Sequence, residues 1–424
     1  MKYYSTKQEV QLTSFREAVI KGLPDDGGLF MPTRIPKLDF DFLDSLHEEP
    51  LSTIGFTVAS PFVGSDIPQE KLRDIIEETL NFQLPVVPVH NDVFSLELFH
   101  GPTCAFKDVG ARFLARCLSY FSDEKVTVLV ATSGDTGSAV AHGFLGVPNV
   151  DVVILYPKGK VSHLQEQQLT TLGQNIRALE VEGTFDDCQR MVKSAFLDKE
   201  LNRKMKLTSA NSINIARLIP QSFYYFWAMA QLQDYDKIIF SVPSGNYGNL
   251  TAGLLAKAMG LPISGFVASS NINDIVPKYL RDGQFDPKPS KQTISNAMDV
   301  GDPSNFGRMT ELYDQSWEQI TNDISGYSFN DDETKAVMKA VHEKYRYVLD
   351  PHGAVGYLGL KAELEQTGGT GVFLETAHPA KFIDTVEEVI GKIEIPKRLS
   401  AYLEKEKKSI LMKNEYDELK RYLI

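Results

Sequence analysis

The chain has 424 residues, 42% of them hydrophobic, and a formal net charge of −12. That length exceeds one simple core and predicts two or three domains, and the acidity argues against a nucleic-acid binder. Three cysteines, Cys104, Cys117 and Cys188, are an odd number without metal-ligand spacing, which points to a reducing compartment and to no metal site.

The amino terminus, Met1 to Lys7, lacks the apolar core of a signal peptide. No run of about 18 apolar residues occurs, so no membrane span is expected and the protein is expected in the cytoplasm. Residues 1–80 read as short helices and loops, with a turn-rich Gly22–Phe30 and an amphipathic helix over Gln69–Leu80. The pattern then turns α/β. Gly101-Pro102 breaks an extended segment, and Phe113, Leu114, Cys117, Leu118 and Phe121 recur at helical spacing after Lys107. Asp108 falls near the helix start, where negative charge is favoured. A lysine at such a helix mouth loses its proton more readily than a free one, with a pKa of about 10.4, and the neutral amine can attack a carbonyl.

Continuous apolar strands are predicted at 126–131, 150–155, 176–181, 237–242, 263–268 and 371–374, with a helix over 185–196. Their alternation with helices predicts an α/β fold with parallel sheets covered on both faces. The charged stretch Ser400–Ile424 reads as a docked terminal helix.

Two strands run into glycine loops that open helices: Thr132-Ser133-Gly134-Asp135-Thr136-Gly137 and Ser244-Gly245-Asn246-Tyr247-Gly248-Asn249. Glycines let the backbone approach a ligand, and helix N-termini favour anions, so two anionic sites are expected. Neither loop matches the dinucleotide or P-loop motifs, and no nucleophile elbow or His-Glu-x-x-His is present. Between the loops, Thr208–Leu218 gathers Asn211, Ser212 and Arg217. Arg217 can grip a phosphate or carboxylate with two parallel hydrogen bonds, and Asn211 or Ser212 can also cap the following helix. Thr376 ends a strand with a hydroxyl, and His378 beside it, without a second ligand near in sequence, reads as structural.

A lysine for an aldehyde, a glycine loop for a phosphate and a hydroxyl for a ring nitrogen are what pyridoxal phosphate requires. Five segments resemble those of threonine synthases of the long, enteric-bacterial and fungal form: His100–Asp108, Ser133–Gly137, Asn211–Asn214, Ser244–Asn249 and Thr376–Lys381. The resemblance runs from about Gly22 past Lys381.

The resemblance implies the tryptophan-synthase-β-like fold, with two open, mostly parallel sheets flanked by helices and an N-terminal helical and loop region. It implies an N-terminal domain over 1–80, a large cofactor domain over 81–110 and 216–395, a small α/β domain over 111–215, and a helical tail over 396–424. The implied reaction converts O-phospho-L-homoserine and water to L-threonine and phosphate. Lys107 would carry the cofactor as a Schiff base, Gly245, Asn246, Tyr247, Gly248 and Asn249 would cradle its phosphate, and Thr376 would meet its ring nitrogen. Asp135 would lie near the 3-hydroxyl, where short-form relatives carry asparagine; a carboxylate beside a phenolate is repulsive unless one is protonated. Ser133, Thr136, Asn211, Ser212 and Arg217 would bind the substrate's anionic groups, and the expected assembly is a monomer or homodimer.

Two other readings share parts of this pattern. A serine/threonine dehydratase or phospho-lyase of the same fold would keep Lys107 and the glycine loop, but a hydroxyl substrate needs no Arg217 cluster. A sensor that kept the fold without catalysis would have no need of Lys107.

Overall fold

A computed structural model describes all 424 residues. The strands are β1 (Tyr3–Ser5), β2 (Phe30–Pro32), β3 (Val86–His90), β4 (Val93–Glu97), β5 (Val126–Ala131), β6 (Val150–Pro157), β7 (Ile176–Glu182), β8 (Lys206–Ser209), β9 (Ile238–Pro243), β10 (Gly265–Ser270), β11 (Ile324–Ser328), β12 (Thr370–Glu375) and β13 (Ile410–Lys413). β1 and β2 form an antiparallel ribbon, and the rest build two sheets, ordered β11-β10-β9-β12-β4-β3 and β13-β7-β6-β5-β8. Every pairing in these two sheets is parallel except that of β3 with β4.

The apolar strand runs are apolar because both faces are covered. One cluster of 75 buried residues joins the N-terminal helices and the aromatic helix Phe223–Gln231 to the inner faces of both sheets. Two clusters of 13 residues each cover the outer faces. In each sheet the strand order reverses direction at one place, between β9 and β12 in the first and between β5 and β8 in the second. Such reversals leave a crevice at the strand carboxyl ends. The loops after β5, β8, β9 and β12 meet there.

The N-terminal region is helical, with helices Phe15–Lys21, Leu51–Val63 and Gln69–Thr79, and it supports the β8 crevice directly. Gly22 turns at φ +71 so close to β8 that a Cβ there would stand 3.2 Å from Ser209 N. Asn214 Nδ2 donates to Val19 O at 3.0 Å. No helix is long and apolar enough to cross a membrane.

The carboxyl terminus departs from the expected single helix. Helix Lys397–Leu403 is followed by β13, which adds a parallel edge strand beside β7, and then by helix Tyr416–Leu423. The apolar spacing of Leu411, Leu419 and Leu423 suits a helix as well as a strand and a short helix. The open edge of β7 decides it. The first glycine loop also differs: its helix begins at Asp135, not at Ala139.

Candidate active site

Two chain segments are stitched side by side at the end of β12. Leu98 N donates to Glu375 O at 3.0 Å, Phe106 N to Thr376 O at 2.8 Å, and His378 N to Cys104 O at 3.0 Å. This brings Lys107 next to Thr376, although 269 positions separate them (376 − 107). Cys104 adopts φ +56 to make the turn, and Gly101 leaves room for the Asp108 carboxylate. Asp108 is buried and accepts from Thr103 N at 2.9 Å and Thr103 Oγ1 at 2.6 Å. The helix Lys107–Phe121 therefore starts at the lysine itself.

Lys107 lines a cavity between the two sheets, with Ser133, Thr136, Asn211, Ser212, Arg217, Gly245, Asn246, Tyr247, Gly248, Asn249 and Thr376. Burial pulls the Lys107 amine down to about 8; Asp135 opposes the shift, and Arg217 and Lys381 add to it. The lowering raises the fraction of neutral amine, the form that attacks an aldehyde.

The second glycine loop gets its shape from its side chains. Asn249 accepts from Ser244 Oγ at 2.7 Å and donates to Pro243 O at 2.9 Å. The Tyr247 hydroxyl pairs with Ser270 Oγ at 2.5 Å, and Asn246 Oδ1 accepts from Ser304 Oγ at 3.2 Å. These side chains are spent on the loop, which leaves the backbone at the start of helix Gly248–Ala258 as its anion-facing part. The left-handed residue is Tyr247, at φ 59. The glycines are needed for space: a Cβ on Gly245 would stand 2.7 Å from Ala297 O.

In the first loop Gly134 takes φ +136, and the Thr132 hydroxyl accepts from Gly134 N at 2.9 Å and Gly137 N at 2.8 Å. Ser133 and Thr136 face the cavity. Asp135 is not among the residues lining it. Its carboxylate accepts from Gln165 Nε2 at 2.9 Å and pairs with the fully buried Lys381 at 2.7 Å. Burial opposes its ionisation, but Lys381 and Lys107 more than reverse this and hold the carboxyl well below the usual carboxylate range. Lys381 thus supplies the counter-charge of the Asp135 carboxylate.

Arg217 is 3% exposed and has no carboxylate within ion-pair distance. One guanidinium nitrogen donates to Ala210 O, and Nε has no partner. Burial lowers its pKa to about 10, so it stays charged. Three buried polar atoms without partners belong to cavity residues: Asn211 Oδ1, Arg217 Nε and Asn296 Oδ1. The helix cap in this stretch is Asn214, whose Oδ1 accepts from Ala216 N at 3.0 Å, not Asn211 or Ser212. That frees both for the cavity. His378 is structural: its Nδ1 accepts from Ala380 N at 3.1 Å, and burial lowers its pKa to about 4.

Three parts of the site lie outside the sequence reading. Asn296–Val300 form one wall, and His352 is part of the lining. Arg308, fully buried, donates to Ile213 O at 2.7 Å and to Phe30 O at 2.9 Å and so fixes the Asn211–Asn214 loop. Only His352 had a local signal. Asp350-Pro351 is a cap followed by proline at the first helical position, which places His352 on the first turn of a helix.

A buried lysine with a lowered pKa, an arginine without a carboxylate partner, two helix N-termini and a hydroxyl at a strand end fit a phosphorylated aldehyde cofactor and an anionic substrate. The family profile described as "Pyridoxal-phosphate dependent enzyme" matches residues 82–374, "Threonine synthase N terminus" matches 2–80, and "Threonine synthase, C-terminal" matches 353–423. The threonine synthase of Escherichia coli K12 is 47% identical over 404 residues, 94% of each chain. The chain belongs to the threonine synthase family of pyridoxal-phosphate-dependent enzymes.

The crystal structure of Escherichia coli threonine synthase superposes with a TM-score of 0.95 at 44% identity, covering 100% of this chain and 99% of that one. The threonine synthase of Brucella melitensis, solved with pyridoxal phosphate bound, gives 0.93 at 35% identity, covering 100% and 98%. The fold is that of the pyridoxal-phosphate enzymes with two mostly parallel sheets, the cofactor is pyridoxal phosphate, and the activity is that of a threonine synthase. The dehydratase and sensor readings fall away with that assignment.

Proposed function

We propose that the cavity residues divide the conversion of O-phospho-L-homoserine and water to L-threonine and phosphate as follows. Bound there, pyridoxal phosphate supplies an aldehyde and a conjugated ring that takes up the charge of a carbanion. Gly245 to Asn249 hold its phosphate through backbone N–H groups, and the Thr376 hydroxyl meets its ring nitrogen. A hydroxyl, unlike a carboxylate, does not force that nitrogen to be protonated. Asp135 acts through its charge, offset by Lys381.

Lys107 Nζ would hold the cofactor's aldehyde carbon and, when free, would serve as the base. The freed amine then removes the proton at the substrate's α-carbon and later one at the β-carbon. Phosphate leaves from the γ-carbon, that carbon gains a proton, water adds across the β-carbon as hydroxyl, and the α-carbon regains its proton from the lysine. One mobile base serves adjacent carbons because proximity lowers the cost of each transfer. Arg217, Asn211, Ser212, Ser133 and Thr136 bind the substrate's carboxylate and phosphate. The chain carries −12 overall, so these local donors, not the global field, attract an anionic substrate.

The observation that carries this reading is the buried Lys107 amine, its pKa lowered to about 8, in one cavity with the uncompensated Arg217. Lys107→Ala is expected to abolish threonine formation and the cofactor's bound visible absorbance while circular dichroism stays unchanged. Threonine and keto acid are assayed separately after mixing with O-phosphohomoserine. Substantial threonine from this variant would sink the assignment.

The two-sheet division supports a large cofactor domain over 81–110 and 216–395 and a small domain over 111–215, with the N-terminal domain over 1–80. The tail over 396–424 closes the second sheet. Three buried free cysteines are compatible with a cytoplasmic enzyme. The acidic charge disfavours nucleic acid, and a monomer or homodimer suffices for a site built within one chain.

A further inference from the structure

One wall of the cavity, Asn296–Val300, belongs to no strand of either sheet; it holds only a short 3-10 turn over Asn296–Met298. Its far end is tied by Asp299, whose carboxylate accepts from Thr293 N at 3.0 Å, Thr293 Oγ1 at 2.7 Å and Asn271 Nδ2 at 2.9 Å. Its middle is tied by Ala297. The Ala297 carbonyl packs over Gly245, and the Ala297 N–H donates to His352 Nε2 at 3.2 Å.

His352 is 2% exposed and sits on the first turn of helix Pro351–Thr367. Its Nδ1 stands 2.5 Å from Asp350 Oδ1. Because Nε2 accepts a hydrogen bond, the ring proton lies on Nδ1 and is given to Asp350. Asp350 is held in turn. It caps the helix by accepting from His352 N at 2.8 Å, and its own N–H donates to Glu375 Oε1 at 2.6 Å. Burial, and then the charge of Asp350, raise Glu375 well above the usual carboxylate range. The Ala297 N–H on Nε2 and the Asp350 carboxylate on Nδ1 together fix the tautomer of His352.

We propose that His352 is a positioning residue: its Nε2 lone pair pins the Ala297 N–H and thereby holds Asn296, whose buried Oδ1 has no partner, as an acceptor for a donor group of the bound ligand. The inference rests on the cavity being the cofactor and substrate site.

The test reads the strut and the site separately. Amide hydrogen exchange at Ala297 is measured with and without pyridoxal phosphate, beside cofactor affinity and the KM and kcat for O-phosphohomoserine. His352→Leu is expected to speed exchange at Ala297 by about ten-fold, the scale of one lost hydrogen bond, and to raise KM more than it lowers kcat. His352→Gln, whose side-chain oxygen can accept the same N–H, is expected to restore most of both. Ala297→Pro removes the donor from the other side and leaves the helix cap intact, so it carries the same kinetic expectation even if His352→Leu does not fold. Unchanged exchange in His352→Leu, a glutamine variant no better than leucine, or wild-type kinetics in Ala297→Pro would each overturn the proposal. Threonine formation by Lys107→Ala would instead overturn the reading of the cavity and leave the Ala297 exchange result standing.

Discussion

Arg217 is a cation without a counter-charge. Exposed arginines gain little from a partner, about 0–1 kcal/mol, but a buried one carries a desolvation cost that only an anion or good hydrogen bonds offset. Within the chain Arg217 has only the Ala210 carbonyl. On the proposed reading, a substrate anion beside it would complete the balance. Arg217→Ala is therefore expected to cut kcat/KM for O-phosphohomoserine by roughly thirty-fold or more, equivalent to about 2–5 kcal/mol for a lost contact to a buried anion. Cofactor content should stay full, since the cofactor cradle lies on another loop. A change below about three-fold would return Arg217 to a purely structural role.

The glycine loop after β9 shows how an element can be right in sequence and different in mechanism. Its two glycines suggest positive φ, yet the left-handed residue is Tyr247, held by its hydroxyl on Ser270. What Gly245 provides is contact with the Asn296–Val300 wall. A side chain there meets Ala297 O at 2.7 Å and Met298 Cα at 2.9 Å, both backbone atoms that cannot swing aside. A Cβ on Gly248 meets Ser212 Cβ at 3.3 Å, a contact a side chain can relieve. Gly245→Val should therefore release cofactor on dialysis, with an overpacking cost of about 1–3 kcal/mol. Gly248→Ala should retain most of it. Equal retention in both would mean that the wall, not the loop, yields.

Across the whole molecule, the two sheets are locked by a buried ion pair. Asp135 opens a helix of the second sheet, while Lys381 follows β12 of the first and also donates to Thr103 O at 3.0 Å. Removing one partner of a buried pair costs about 3–5 kcal/mol, because the other charge is left without compensation. Lys381→Met should thus lower the urea midpoint of the cofactor-free protein markedly. Asp135→Asn with Lys381→Met should recover part of the loss, since no orphan charge remains. A double variant no more stable than Lys381→Met would show that the pair is not the lock.

Local pattern alone was enough for six of the parallel strands, for the helix at Lys107 and for the place of both glycine loops, but not for β8, for β11 or for where the first loop's helix begins. Apolar runs of strand length, a break at Gly101-Pro102 and glycines between strand and helix are short-range signals whose cause is backbone preference and burial. The same signals, with the Asn211–Arg217 and Thr376–Lys381 segments, pointed to pyridoxal phosphate, and the resemblance of those segments to threonine synthases implied the reaction. Four features depended on contacts between distant parts of the chain. β13 forms because β7 has an open edge. Asn214 caps its helix because Val19 and Ser209 hold its amide. Asp135 turns to Lys381, 246 positions away (381 − 135), instead of lining the cavity. The Asn296–Val300 wall stands where it does because His352, Gly245 and Asp299 each tie it down. None of these leaves a periodic trace, because each is a hydrogen bond, an ion pair or a steric fit that exists only once the two sheets face each other.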